Sequence, residues 1–151
     1  MKSTFLNQSR PLITAMIQKE TPDHIRFDVK NSIADGADAF GIQLEFLKKE
    51  YKNEENYKKI FSATAGRPVY ITNYRKMANE GLSDDELGEE LLRALKCGAT
   101  LGDVMGSMFD NESGMGIGLE LSMKQAAIDK QMRLIILAKN YTAKQERISS
   151  C

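Results

Sequence analysis

Residues 68–97 read PVYITNYRKMANEGLSDDELGEELLRALKC, and this stretch decides the fold. Pro68–Arg75 is a short run rich in Val, Tyr, Ile and Thr, residues that suit a pleated backbone. Ser83-Asp-Asp-Glu86 then forms a capping box, with acidic residues at the positive end of the coming helix dipole. Leu87, Leu91, Ala94 and Leu95 follow at helical spacing, so the helix from Ser83 to Cys97 buries one face. A strand followed by an amphipathic helix is one unit of a parallel α/β fold.

The same cadence recurs on both sides. Upstream, Pro11–Gln18 (PLITAMIQ) reads as a strand, and Thr21-Pro22 opens a helix to Ala34 with proline at the first helical position, where a missing N–H costs nothing. Ala39–Leu47 (AFGIQLEFL) reads as a second strand, with a helix near Glu54–Thr64. Downstream, Thr100–Phe109 (TLGDVMGSMF) reads as a fourth strand, and Ser122-Met-Lys-Gln125 caps a helix expected to run from Ser122 to about Lys139. Gly36-Ala37-Asp38 and Gly98-Ala99-Thr100 are matching helix exits, each a left-handed glycine and a short hop into a strand. The reading is therefore α/β, with four parallel βα units over residues 1–139. Such units close an eight-unit barrel or build an open sheet covered on both faces.

Composition excludes several classes. The chain has 151 residues, one domain's worth, and 42% hydrophobic content, enough for a core. Lys+Arg and Asp+Glu stand at 21 each, so there is no electrostatic footprint for nucleic acid or for an anionic membrane. No stretch reaches the length that spans a bilayer, and no basic, apolar leader follows Met1. Cys97 and Cys151 form neither a disulfide framework nor a metal-ligand spacing. The expectation is a cytoplasmic protein without a metal or cofactor.

Because strands buried on both faces are apolar throughout, the polar exceptions carry the information. Gln43 and Glu45 stand two apart on the second strand and so point to one side, as do Asn73 and Arg75 at the end of the third. Asp103 sits inside the fourth strand. Chemistry in parallel α/β sheets gathers at the strands' carboxyl ends. Gln43, Glu45, Arg75 and Asp103 are thus the expected walls of a site for a small, polar, anionic molecule. The competing reading of Glu45 and Arg75 is a buried ion pair between neighbouring strands, since either charge alone in the core is costly.

The runs Ala37–Leu47 (ADAFGIQLEFL) and Arg67–Arg75 (RPVYITNYR), with the strand around Asp103, resemble the first half of the type I 3-dehydroquinate dehydratases. The similarity covers roughly Pro11 to Lys139. The resemblance implies the amino-terminal half of a (β/α)8 TIM barrel and a Schiff-base lyase that dehydrates 3-dehydroquinate through a lysine imine in the shikimate pathway of aromatic amino acid biosynthesis. It makes Arg75 the match of the family's substrate-binding arginine and Asp103 the match of an acidic position on its fourth strand. It makes Ala126–Leu134 the helix leading into a fifth strand. Two departures stand out. Gln43-Leu-Glu45 replaces the family's usual Glu-x-Arg, and Asn79 stands where a glutamate usually follows the third-strand arginine. The family's catalytic histidine and lysine belong to its fifth and sixth strands, and this chain ends before either.

An imine dehydration needs a desolvated amine and a proton carrier. His24, the single histidine, lies in the first turn of the first helix and reads as a surface or capping residue. No lysine sits inside a predicted strand; Lys48, Lys49 and Lys76 flank polar loops. The isolated chain is expected to lack lyase activity.

The tail 140–151 (NYTAKQERISSC) has neither strand nor helix pattern. Back-translated with permitted codons, one adenine restored beside the Lys139–Asn140 run yields Lys-Leu-His-Gly-Lys-Ala-Gly-Ala-Asp-Ile-Ile-Met, a helix end, a glycine exit and a strand opening. The tail is expected to be the product of a single-base slip. A severed barrel leaves unpaired edges and inward side chains without an opposing layer, so self-association through those edges is expected.

Two rivals remain at this stage. A self-sufficient, doubly wound ligand-binding domain would bind at a switch point, but no strand is followed by a glycine-rich phosphate loop; Asn111–Gly118 reads as a flexible loop. A metal-dependent sugar isomerase or aldolase barrel would use Glu45, Asp103 and Asp110 on Mg2+ or Mn2+, without the strand-end histidine such sites favour. The methionines, including Met105, Met108, Met115, Met123 and Met132, read as adaptable core filler.

Overall fold

The computed structural model describes residues 4–6, 8–105 and the backbone of 133–137. Its order is β1 (Thr14–Ile17), α1 (Pro22–Ala34), β2 (Ala39–Gln43), α2 (Glu54–Ser62), β3 (Val69–Thr72), α3 (Asp84–Cys97), β4 (Leu101–Met105) and β5 (Arg133–Leu137). The strands form one parallel sheet in the order β1-β2-β3-β4-β5. Unbroken sequential order distinguishes a barrel wall from a doubly wound sheet, whose order reverses at a switch point. Right-handed crossovers between successive neighbours also place every helix on the same face. The architecture is that of (β/α)8 barrels over part of their circumference, which removes the doubly wound alternative.

The helices form where their caps are. Thr21 accepts the His24 backbone N–H at 3.3 Å with Pro22 inside the first turn, and Asn53 accepts the Asn56 N–H at 3.0 Å. Ser83 and Glu86 make the reciprocal capping box. α3 ends at Gly98, whose φ of 131° is open to glycine and strained for other residues.

Alternation along the strands splits the sheet into two faces. Phe40, Ile42, Val69, Ile71 and Val104 turn toward the helices and join Ile25, Val29, Tyr57, Ile60, Phe61, Leu87, Leu91 and Leu95 in one buried core. Gly102 belongs to this side: a Cβ there would touch Leu91 and Leu95 at 3.5–3.6 Å.

Three expectations change. The second strand ends at Gln43, because Leu44–Phe46 close a 3-10 turn through the Leu47 N–H to Leu44 C=O bond of 3.1 Å. The third ends at Thr72; Asn73 and Arg75 lie in the loop beyond it, where the Lys76 N–H bonds back to the Tyr74 C=O at 2.9 Å. β5 falls inside the span read as the fourth helix, so a fifth strand, expected only beyond the end of the chain, lies within it. Leu134-Ile-Ile-Leu137 is a short, continuous apolar run, whose periodicity alone does not tell a buried strand from a helix, and pairing with β4 decides for the strand. The remaining expectations for 106–132 and 138–151, including the loop after β4, Asp110, the Ser122 cap and the aberrant tail, lie outside the described residues. No helix among the described residues is long and apolar enough to cross a membrane.

Candidate functional site

In a parallel ladder, paired residues share a face. Gly41, Tyr70 and Leu101 lie on one rung, and Gln43 and Thr72 on the next. Asp103, two beyond Leu101, projects to the same side. This face looks away from the helices, and its polar groups sit toward the carboxyl ends of the strands.

Asp103 is 4% exposed and accepts hydrogen bonds from two phenols, Tyr70 at 2.9 Å and Tyr74. Burial, reinforced by those bonds, pushes the Tyr70 phenol up to about 12 and raises Tyr74 further. Both phenols therefore keep their protons across the physiological range and act as donors. The group they form is a carboxylate clamped between two aromatic hydroxyls, facing the concave side.

Glu45 is fully buried, carried beneath the strand ends by the 3-10 turn. The Thr72 hydroxyl bonds its carboxylate at 2.9 Å, and Lys76 Nζ stands 3.7 Å from Oε1. That ammonium also lies over the rings of Phe46, at 5.4 Å, and Tyr74, at 5.7 Å, so ring quadrupoles and one carboxylate hold it.

Behind the strand ends runs a chain of amides. Lys52 Nζ donates to Asn79, which donates to Asn73 at 2.8 Å and to the Tyr74 C=O at 2.9 Å; Asn73 donates to the Leu87 C=O at 3.0 Å. Asn79 is fully buried and Asn73 nearly so, and the chain ties the loop after β3 to α3. Burial lowers the Lys52 ammonium, against the opposing pull of Glu90 and Glu45. A carboxamide at position 79 serves as acceptor and double donor at once, which a carboxylate cannot do.

Of the four residues read from the sequence, Asp103 and Glu45 are buried at the carboxyl end of the sheet. Gln43 closes β2 and accepts from Gln18 at 2.7 Å. Arg75 forks onto Asp84 in the first turn of α3, at 2.7 and 3.1 Å. The cation beside Glu45 is Lys76. Sequence reasoning missed Tyr70, Thr72, Tyr74, Lys76 and Lys52. The signal available for the first two was period two: both stand on the same side of PVYITNYR. Lys52 and Lys76 reach the cluster from irregular loops, which no periodicity reveals. His24 is exposed. Among the described residues, no group of three or more His, Cys, Asp or Glu gathers where a metal ion could sit.

No protein-family model matches this sequence, and no curated protein does. Solved structures match its fold. The type I 3-dehydroquinate dehydratase of Clostridium difficile, solved with covalent modified comenic acid, aligns with a TM-score of 0.63 at 20% identity, over 85% of this chain and 50% of that one. The 3-dehydroquinate dehydratase of Geobacillus kaustophilus HTA426 gives 0.63 at 12% identity, over 85% and 49%. A rubisco-like protein from Alicyclobacillus acidocaldarius subsp. acidocaldarius gives 0.56 at 14%, over 90% and 34%. What is shared is the fold, and the chain spans about half the length of the dehydratases it matches.

Proposed function

We propose that this chain carries the substrate-binding wall of a type I 3-dehydroquinate dehydratase-like barrel, holding a small hydroxylated carboxylate at the carboxyl ends of its strands. The observation that carries this reading is the Tyr70–Asp103–Tyr74 clamp beside Thr72 and buried Glu45, gathered at the carboxyl ends of a parallel sheet. Such a face suits a ligand rich in hydroxyls: Asp103 accepts on its remaining lone pairs, Gln43 donates from its amide, and the phenol oxygens, whose protons go to Asp103, accept. Lys76 at the rim supplies positive charge for an acid. Comenic acid, held in the Clostridium difficile structure, is likewise a small organic acid. The setting is cytoplasmic.

The dehydration itself is assigned to a complete barrel. In the 151-residue chain the single histidine is exposed at the start of α1, and no described lysine lies on a strand. The chain binds and does not turn over. Calorimetric titration with 3-dehydroquinate tests the first half, and product formation with borohydride trapping tests the second. Saturable binding, without product and without a covalent adduct on reduction, is the expected result. Absence of binding, or turnover by this chain, refutes the reading.

A further inference from the structure

We infer that Lys76 is the residue that receives the carboxylate of the ligand at this site. The inference rests on the reading of the strand-end face as a binding site for a small acid, and it names the group that selects the acid. Two cations stand at the rim, and the structure treats them differently. Arg75 faces Asp84 through both Nε and a terminal nitrogen, so its planar fork is engaged by a carboxylate of the fold itself. Lys76 is placed and not consumed. Its ammonium lies 3.7 Å from Glu45, beyond hydrogen-bond length, and among the described residues Nζ donates no hydrogen bond. The rings of Phe46 and Tyr74 fix its position without taking a donor. The side chain is 49% exposed, so the donors have access to solvent above the buried carboxylate.

This arrangement also accounts for the chemistry of position 45. A buried glutamate at the end of β2 adds negative charge where an acid is to bind. Lys76 offsets it from above, and Thr72 solvates it from the side. An incoming carboxylate approaches the exposed side of the ammonium, away from Glu45, while its hydroxyls reach the Asp103 clamp. Lys76 thus sets specificity for acid over neutral ligand.

The test compares three probes by calorimetry: 3-dehydroquinate, its methyl ester and malonate. Wild-type protein should prefer the free acid to the ester by about ten- to hundredfold, the contribution of a charge-assisted hydrogen bond. Lys76→Met should abolish that preference, the acid losing about ten- to hundredfold more affinity than the ester, and Lys76→Arg should keep most of it. A Lys76→Met variant that binds the acid as tightly as wild type overturns the inference. If Lys76→Met does not fold by circular dichroism, wild type and Lys76→Arg decide: equal affinity for acid and ester overturns it. Binding of malonate that depends on Lys76, without binding of 3-dehydroquinate or its ester, supports the role of Lys76 and refutes the dehydratase-like reading. Failure of all three probes to bind wild type overturns both.

Discussion

Thr100 offers the sharpest test of how the sheet is held open at its amino-terminal edge. Its hydroxyl accepts the Val69 N–H at 2.8 Å and donates to the Val69 C=O at 3.0 Å, while the Thr100 N–H reaches that same carbonyl at 2.9 Å. Val69 is fully buried and Thr100 is 5% exposed, so no solvent competes. In Thr100→Val the shape is nearly kept and the hydroxyl is lost. The Val69 carbonyl retains the Thr100 N–H, but the Val69 N–H loses its acceptor. One orphaned, buried donor costs about 1–3 kcal/mol. For a chain of this length each kcal/mol moves the melting temperature by about 2–4 °C, so the variant should melt about 2–12 °C lower.

Thr100→Ser separates the hydrogen bond from packing. It keeps the hydroxyl and removes one methyl group, a loss of about 1 kcal/mol. Scanning calorimetry or urea titration of the three proteins reads the order directly: wild type, then serine, then valine. The reasoning fails if valine is as stable as wild type, or more stable than serine. Either result would mean that the hydroxyl is not what completes the ladder between β3 and β4.

Three further outcomes follow from other features. Ser83→Ala removes the capping box of α3 and should cost about 1 kcal/mol, measured by denaturant titration; a change under about 0.2 kcal/mol would show that the cap is idle. The phenols of Tyr70 and Tyr74 are raised in the folded chain, so the unfolded state sheds their protons first; the stability they contribute is whole below pH 10 and drains as pH rises through about 12. Melts between those limits should fall steadily, less steeply in a Tyr70→Phe variant, and a flat profile would refute the clamp. We propose, finally, that copies associate through β1, which among the described strands pairs with β2 alone; light scattering across a concentration series should show growing mass, and a constant monomer would end that proposal.

The sequence discloses what is local and hides what is assembled. Thr21-Pro22 and Ser83–Glu86 announce helix starts because each cap satisfies donors within its own turn, and Gly98 announces an exit because its φ excludes most side chains. Asp103 was legible as a charge inside an apolar strand. The ends of β2 and β3 were not, since Leu44-Glu45-Phe46 and Tyr74-Arg75-Lys76 have compositions a strand would accept, and short backbone bonds bend them away. The partners of Arg75 and Glu45 were hidden for the same reason. Once Arg75 leaves the strand, it meets the first turn of α3, and the next residue, Lys76, takes the place beside Glu45 that the sequence reading offered to Arg75.

The face away from the helices is graded along the strands, and under the proposed function the grading keeps folding and ligand binding on different residues. Its lower rung, Gly41, Tyr70 and Leu101, is mostly small or apolar: a side chain at position 41 would meet Met16, and Leu101 is buried. Its upper rung holds Gln43 and Thr72, with Asp103 beside them, and beyond it the turns deliver Glu45, Tyr74 and Lys76. Tyr70 spans both, its ring in the lower layer and its hydroxyl reaching Asp103 in the upper. Tyr70→Phe should therefore leave the ring's packing in place and alter the donor set. Two residues of strand separate the layer that packs from the layer proposed to bind, which is one period of the pleat. That spacing lets the carboxyl ends of the strands vary their chemistry while the core beneath stays closed.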